Sequence, residues 1–166
     1  DGIFSFIIID KQNDSIFFAR DHFGVKPLYY FVMGSNLIIS SECRVFDSIC
    51  QKDELSKIMF LSHGYIPSPK TMYKNVYSLI PGSYGTFKNA KLKVKKYYDL
   101  LGLFKSNKND FDVNLISSSV KSQLISDAKL GCFFSGGLDS SVLAYEANKL
   151  NKKIETYSIN FADNND

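Results

Sequence analysis

The second half of the chain is organised around residues 133–141, which read Phe133-Phe134-Ser135-Gly136-Gly137-Leu138-Asp139-Ser140-Ser141. The apolar run of residues 130–134 is typical of a buried strand. After the glycines, Leu143, Ala147 and Leu150 share one face of a predicted helix, and residues 154–159 predict another strand. This order of strand, tight turn, helix and strand predicts two parallel strands joined by a helix.

The turn has the composition of an anion-binding site. Gly136 and Gly137 allow positive φ angles and a close approach of the backbone to a ligand, and the free N–H groups of a helix start attract anions. Ser135 and Ser140 add hydroxyl donors. Asp139 would repel a phosphate unless it caps the helix, as Ser140 also could, or shares a Mg²⁺ ion with the ligand. A glycine-rich turn before a well-capped helix is the simpler alternative, and the spacing favours the phosphate site.

The composition indicates a globular chain without a nucleic-acid partner or a membrane span. Of the 166 residues, 45% are hydrophobic and 22% are charged, and the formal net charge is only +3, which gives no reason to expect a polyanion. No apolar run is long enough to cross a membrane. Cys43, Cys50 and Cys132 form neither a CxxC pair nor an even framework, which favours the reducing cytoplasm. Because the chain starts at Asp1 inside an apolar run, we expect a piece of a longer protein.

Residues 1–100 have the pattern of an α+β unit. The first strand is nearly all apolar, which predicts a central strand covered on both faces. Four strands within about forty residues predict an antiparallel meander. A helix over residues 53–63, ended by Gly64, and three short strands follow. The predicted strands are residues 3–10, 15–20, 27–30, 37–40, 76–79, 83–87 and 92–98.

Three groups in this first part invite a chemical interpretation. Arg20, Asp21 and Lys26 could form a catalytic cluster, but a buried Arg–Asp pair that holds a corner is favoured, since structural ion pairs produce the same pattern. His22 and His63 have no second ligand at metal-binding spacing, and ordinary histidines are favoured. The alternating lysines are typical of an exposed edge strand rather than a nucleic-acid patch, because no aromatic face is interleaved with them. These lysines are Lys91, Lys93 and Lys95.

A polar, Lys/Asn-rich segment separates the two parts of the chain. Residues 101–109 are the predicted linker between a domain over 1–100 and a second domain over 110–166. Asp110 or Asp112 can cap the first helix of the second domain. In that helix one apolar stripe faces the core, and it consists of Val113, Ile116, Val120 and Leu124.

The motifs of this chain, and the order in which they occur, resemble those of the asparagine synthetase (glutamine-hydrolysing) family. The loop of residues 135–140 resembles the Ser-Gly-Gly-X-Asp-Ser pyrophosphate loop of the N-type ATP pyrophosphatases, and it is no Walker loop because no Gly-Lys-Ser/Thr follows. The matching motifs are Asp1-Gly2-Ile3-Phe4-Ser5-Phe6, Arg20-Asp21 through Tyr30, Ser41-Glu42, Pro67 through Tyr73, Ile80-Pro81-Gly82 and Ile125 through Ser141.

The resemblance implies a fold, a reaction and a set of site residues. The fold is the C-terminal part of an N-terminal-nucleophile α/β/β/α glutaminase sandwich, joined to the start of a parallel-sheet ATP pyrophosphatase (PP-loop) domain. The reaction converts ATP, aspartate and glutamine into asparagine, glutamate, AMP and pyrophosphate through a β-aspartyl-adenylate. The resemblance also allows a homodimer. The residues implied in ATP and pyrophosphate binding are Phe134, Ser135, Gly136, Gly137, Asp139, Ser140 and Ile159, with Asp139 also implied in Mg²⁺ binding.

Two departures leave other functions open. In this family the glutaminase cysteine is the mature N-terminal residue, so none of the three cysteines here can take that part. The family's Asp-Val-Pro-Val-Gly is Asp127-Ala128-Lys129-Leu130-Gly131 in this chain, which indicates a divergent member. A related adenylating enzyme without an active glutaminase, of the β-lactam synthetase or peptide cyclase type, is one alternative. An amidotransferase acting on another carboxylate is a second, and a non-catalytic nucleotide-binding protein is a third.

Overall fold

Residues 2–102, 112–150 and 154–160 are described by the computed structural model of this chain. The chain separates into two units, residues 1–107 and residues 108–166. Most of the predicted linker, residues 103–109, lies outside the described residues. The assignment of residues 1–100 and 110–166 to two named domains stays a prediction.

The elements assigned in the described part of the first unit are strands, a short 3₁₀ helix and an α-helix. Its strands are β1 (Ser5–Asp10), β2 (Ser15–Arg20), β3 (Tyr29–Met33), β4 (Asn36–Ser40), β5 (Val76–Ser78), β6 (Ser83–Lys88) and β7 (Lys91–Lys96). The 3₁₀ helix is Cys43–Ser48, and helix α1 is Glu54–His63. Asp53 caps α1 by accepting the N–H of Ser56, and Gly64, with φ +77°, ends it, as the sequence predicts.

The single meander predicted for the first four strands is wrong, because they divide between two sheets. One sheet has the order β1-β2-β6-β7, and the other has the order β4-β3-β5; all of their pairings are antiparallel. After β2 the chain turns a corner and enters the second sheet. The free edge of β2 pairs with β6, a strand far along the sequence, and local alternation cannot reveal such a partner.

Two apolar clusters hold the first unit together. In one, Phe18 of the four-stranded sheet packs with Leu28 and Leu79 and contacts side chains of the second sheet, including Tyr30 and Ile39. In the other, the opposite face of the second sheet packs against Phe46 of the 3₁₀ helix. The described residues therefore form a sheet-on-sheet core with a helical segment outside the second sheet. The complete four-layer α/β/β/α sandwich stays a prediction.

The outer strands of the four-stranded sheet differ in how well they were predicted. β1 lies at the edge, not in the centre, and Ile8 and Ile9 are 53% and 66% exposed, so the prediction that it is covered on both faces is wrong. The apolar composition of β1 predicted that both of its faces would be buried, but among the described residues only β2 pairs with it. β7 forms the opposite edge, and its alternating lysines are exposed, as predicted for an edge strand.

The second unit confirms the predicted order of strand, turn, helix and strand. It contains α2 (Val113–Gln123), β8 (Gly131–Phe133), α3 (Leu138–Leu150) and β9 (Glu155–Tyr157). β8 and β9 are parallel, with Gly131 opposite Glu155. Asp112 caps α2 through the N–H of Asn114, whereas Asp110 lies outside the described residues.

Helices α2 and α3 of the second unit pack on each other. Ser117 of α2 donates a 2.6 Å hydrogen bond to Glu146 of α3. Of the predicted stripe on α2, Val120 is buried, but Val113 is 64% exposed. The sequence also predicts that α3 stops at Asn151, which lies outside the described residues. None of the helices in the described ranges is long and apolar enough to cross a lipid bilayer.

Candidate nucleotide-binding loop

The predicted loop leaves the carboxyl end of β8 and enters α3 within four residues. The N–H of Phe134 donates to the carbonyl of Tyr157 at 2.8 Å, which ties the loop entrance to the neighbouring strand. Gly136 has a φ angle of +78°, in the left-handed region that glycine adopts without steric cost. The N–H of Ser141 donates to the carbonyl of Gly137 at 3.0 Å, so the hydrogen bonding of α3 starts at Gly137.

Hydrogen bonds of the serine hydroxyl groups span the loop and stabilise its shape. The Oγ atoms of Ser135 and Ser140 lie 3.1 Å apart. The hydroxyls of Ser140 and Ser141 both donate to the carbonyl of Gly137, at 3.0 and 2.8 Å. Asp139 and Ser140 lie within the first turn of α3 and not at its cap position. The expectation that one of them caps this helix is therefore wrong, because the helix starts two to three residues earlier than that role requires.

The loop has the donor set that a diphosphate needs. In the part of the chain that the structure describes, the N–H groups of residues 135–140 donate to no protein acceptor, as expected for a loop that opens a helix. The positive end of the helix dipole favours an anion there. A Cβ atom built on Gly136 meets no atom within 4 Å, so the space beside the loop is open. The hydroxyls of Ser135 and Ser140 border the same turn.

The other residues implied in nucleotide binding lie at the same edge of the parallel pair. Phe134 and Ile159 each come shortly after the ends of β8 and β9, and the carboxyl ends of parallel strands are where open α/β sheets bind ligands. Ile159 is 80% exposed. Asp139 is exposed in the first turn of α3, and a carboxylate oxygen beside a diphosphate suits Mg²⁺. The residues present thus fit both ATP and a magnesium ion.

One groove of the second unit lies apart from the loop residues. It has a volume of about 400 Å³ and is bordered by apolar side chains of α2, α3 and β8, among them Leu115, Val120, Cys132 and Leu143. Residues 134–140 do not border it. Most of its lining is apolar, and the polar side chains of Ser119 and Gln123 on α2 also border it.

In the first unit, Arg20 connects separate parts of the chain by hydrogen bonds. Its guanidinium donates four hydrogen bonds of 2.6 to 2.9 Å. The acceptors are the carbonyls of Gly24, Lys26 and Leu79 and the hydroxyl of Ser78. Three backbone carbonyls that would otherwise lack partners are satisfied in this way. The group therefore connects the end of β2 with the corner and with the end of β5.

Asp21 holds the inside of the same corner. It is 2% exposed, and its carboxylate accepts the backbone N–H groups of Phe23, Val25 and Lys26 at 2.9 to 3.1 Å. Burial raises the pKa of Asp21, but these N–H donors outweigh burial and the net pKa is lowered. Among the described residues, Arg20 and Asp21 form no ion pair with each other. The predicted corner is present, but Arg20 and Asp21 each stabilise it by hydrogen bonds to backbone groups and not by pairing with each other.

The histidines and two of the cysteines have ordinary surroundings. The ring of His22 packs edge-on against Tyr97 and Tyr98, and His63 Nδ1 lies 3.0 Å from the carbonyl of Met59. No group of three metal-ligating side chains occurs among the described residues. Burial raises the pKa of the Cys43 and Cys50 thiols, which disfavours the reactive thiolate.

One residue next to the loop has no role that the sequence alone predicts. Ser158, just beyond β9, donates its hydroxyl to the carbonyl of Phe134 at 2.7 Å. The two residues are 24 positions apart, and only the pairing of β8 with β9 brings them together. The predicted parallel order was a signal that the ends of the two strands meet, but not which side chain would connect them.

Comparisons with known proteins agree with this arrangement. A family model described as a glutamine amidotransferase domain matches residues 1–98, and one described as asparagine synthase matches residues 114–166. A solved structure described as the allosteric regulatory enzyme of purine biosynthesis aligns with 87% of this chain and 29% of its own, at 14% identity and a TM-score of 0.33. That TM-score is too low to support a fold assignment.

Three curated relatives carry the name asparagine synthetase (glutamine-hydrolysing). The relative from Methanocaldococcus jannaschii is 33% identical over 174 residues, covering 96% of this chain and 34% of the relative. One from Bacillus subtilis is 29% identical over 170 residues, covering 96% and 27%, and the one from Homo sapiens is 26% identical over 195 residues, covering 100% and 32%. The chain thus spans about a third of the length of these relatives. Because one model matches more than half of the chain and the second follows it, the chain belongs to the glutamine-hydrolysing asparagine synthetase family.

Proposed function

We propose that the second unit binds the diphosphate of ATP in an ATP-dependent, amide-forming ligase. The whole protein would convert ATP, aspartate and glutamine into asparagine, glutamate, AMP and pyrophosphate through a β-aspartyl-adenylate. The observation that carries this proposal is the loop of residues 135–140. Its N–H groups have no acceptor among the described residues, its serine hydroxyls are paired, and the space beside Gly136 is open. The matches to asparagine synthetases support the choice of reaction.

The residues of the loop would bind the leaving group of the adenylation step. Attack on the α-phosphate of ATP expels pyrophosphate, whose added negative charge must be stabilised in the transition state. The N–H groups of residues 135–140 would donate to the non-bridging oxygens, and the hydroxyls of Ser135 and Ser140 would orient them. Asp139 would hold Mg²⁺, which when bound neutralises charge on the phosphates. Phe134 and Ile159 would border the base and ribose.

The first unit would belong to the part that releases ammonia from glutamine. Its match to a glutamine amidotransferase domain supports this role, while the raised thiol pKa values of Cys43 and Cys50 argue against either as the nucleophile. A cytoplasmic location, a homodimer and the absence of a nucleic-acid partner stay predictions.

A second candidate keeps the adenylation but not the glutaminase. The replacement of the family's proline in residues 127–131 favours a divergent member, such as an enzyme that adenylates another carboxylate. The residue that follows the initiator Met in the complete gene separates the two candidates. Cysteine there favours the glutamine-dependent synthetase, and any other residue favours an enzyme without glutaminase activity.

The test is ATP–pyrophosphate exchange by the full-length protein with Asp139 replaced by Ala. We expect Asp139→Ala to abolish exchange, because the diphosphate would lose its metal-bound partner. Glu54→Ala is a matched control, since Glu54 is also an exposed carboxylate in the first turn of a helix, and it should exchange at the wild-type rate. Exchange by Asp139→Ala at the wild-type rate would remove Asp139 from the mechanism.

A further inference from the structure

The last hydrogen bond between the ends of β8 and β9 comes from a side chain and not from the backbone. Phe134 donates its N–H to the carbonyl of Tyr157, so a regular parallel ladder would have the carbonyl of Phe134 accept the N–H of Ile159. Instead, the hydroxyl of Ser158 donates to that carbonyl at 2.7 Å. Within the described residues, the N–H of Ile159 donates to no protein acceptor.

This hydroxyl fixes the direction of the first N–H group of the loop. The peptide that joins Phe134 to Ser135 is trans, and in a planar trans peptide the N–H points opposite to the carbonyl. By holding the Phe134 carbonyl toward β9, Ser158 directs the Ser135 N–H away from that strand. In the described part of the chain, this N–H has no protein acceptor of its own, so no other hydrogen bond fixes its direction.

We propose that Ser158 is a positioning residue for the binding of a nucleoside triphosphate by its diphosphate. The inference rests on the proposed function of the loop and assigns a task to a residue outside it. Phe134 is held at both of its backbone groups, by Tyr157 and by Ser158. Together these bonds present Ser135 and its N–H in one orientation, which lowers the cost of organising the site when the ligand binds.

A role in positioning predicts a selective defect. Without the hydroxyl, the 134–135 peptide can rotate, and the loop must be ordered by the ligand. The loss should be about fivefold in affinity, as for one hydrogen bond, for ligands that contain a diphosphate. AMP lacks that group, so its affinity should stay within about twofold of the wild type. A general weakening of the fold would instead affect ATP and AMP equally.

The experiment titrates the full-length protein with ATP and with pyrophosphate, each with Mg²⁺, and with AMP. The variants are Ser158→Ala, Ser158→Thr and a matched control, Ser122→Ala, which removes another exposed hydroxyl bonded to a carbonyl in the same unit. We expect Ser158→Ala to weaken ATP and pyrophosphate and not AMP. Ser158→Thr should restore binding because it keeps the hydroxyl, and Ser122→Ala should bind like the wild type.

The outcomes separate this inference from the proposed function. A wild-type protein that bound neither ATP nor pyrophosphate would overturn the proposed function, and the inference with it. Wild-type binding of ATP together with unchanged affinity in Ser158→Ala would overturn the inference alone. Equal weakening of ATP and AMP, or failure of Ser158→Thr to recover, would also overturn it.

Discussion

Replacing Arg20 by Lys tests whether the corner of the first unit is structural. The substitution keeps the positive charge and removes the planar fork that reaches four acceptors at once. An ammonium group has three donors at a single point and cannot reach acceptors spread around a guanidinium. From the side-chain lengths we expect the substituted lysine to serve no more than two of the four acceptors, leaving backbone carbonyls of the corner without partners.

The magnitude follows from the bonds that are lost. A hydrogen bond from a charged donor contributes about 1.5 to 3 kcal/mol. Arg20 is half-buried, so water can replace part of each lost bond and the lower figure applies. Two such bonds give an expected loss of about 3 kcal/mol in the free energy of unfolding, a large part of the stability of a domain this size.

The assay is urea unfolding followed by tyrosine fluorescence, since the chain has 10 Tyr and no Trp. Arg44→Lys is the matched control, because Arg44 is exposed and should change stability by less than about 0.5 kcal/mol. An Arg20→Lys protein as stable as the Arg44→Lys control would refute the structural interpretation. If the same substitution in the full-length protein also removed glutaminase activity, Arg20 would belong to the catalytic cluster instead.

Two further substitutions in the first unit have defined outcomes. Gly85→Ala should lower the free energy of unfolding by about 2 kcal/mol, because its Cβ would lie 2.7 Å from Cε2 of the buried Phe18 ring; adding Phe18→Leu should recover part of that loss in urea unfolding. Because the pKa of Asp21 is lowered in the folded state, its carboxylate stabilises the fold at pH values above 3.8, the ordinary pKa of an aspartate. This stability is lost as the pH falls through the folded-state pKa. Asp21→Asn should therefore be less stable near pH 7 and show a smaller loss between about pH 5 and pH 2; an unchanged pH profile would contradict this.

Features that depend on neighbours in the sequence were predictable. The loop could be located because an apolar strand, two glycines and a helical pattern follow one another without interruption. Helix α1 was predictable for the same reason, since Asp53 and Gly64 act within one turn of its ends. The parallel pairing of β8 and β9 followed from the helix between them, which leaves little choice of direction.

Features that depend on distant partners were not predictable. The apolar pattern of β1 and β2 is equally compatible with a meander and with two sheets, and the pairing of Phe18 with Gly85 decides between them. The two bonds between Phe134 and the end of β9 are equally hidden, because they depend on register and not on pattern. The start of α3 was misplaced because polar residues suited to a cap follow the glycines, while Gly137 supplies the first carbonyl.

The guanidinium of Arg20 has a consequence for how the first unit opens. It lies at the end of β2, in one sheet, and it bonds Ser78 at the end of β5, in the other. A fluctuation that frees either strand end must therefore break contacts shared by both sheets. We expect the slowest amide protons of the two sheets to exchange with deuterium at similar rates, as one cooperative block.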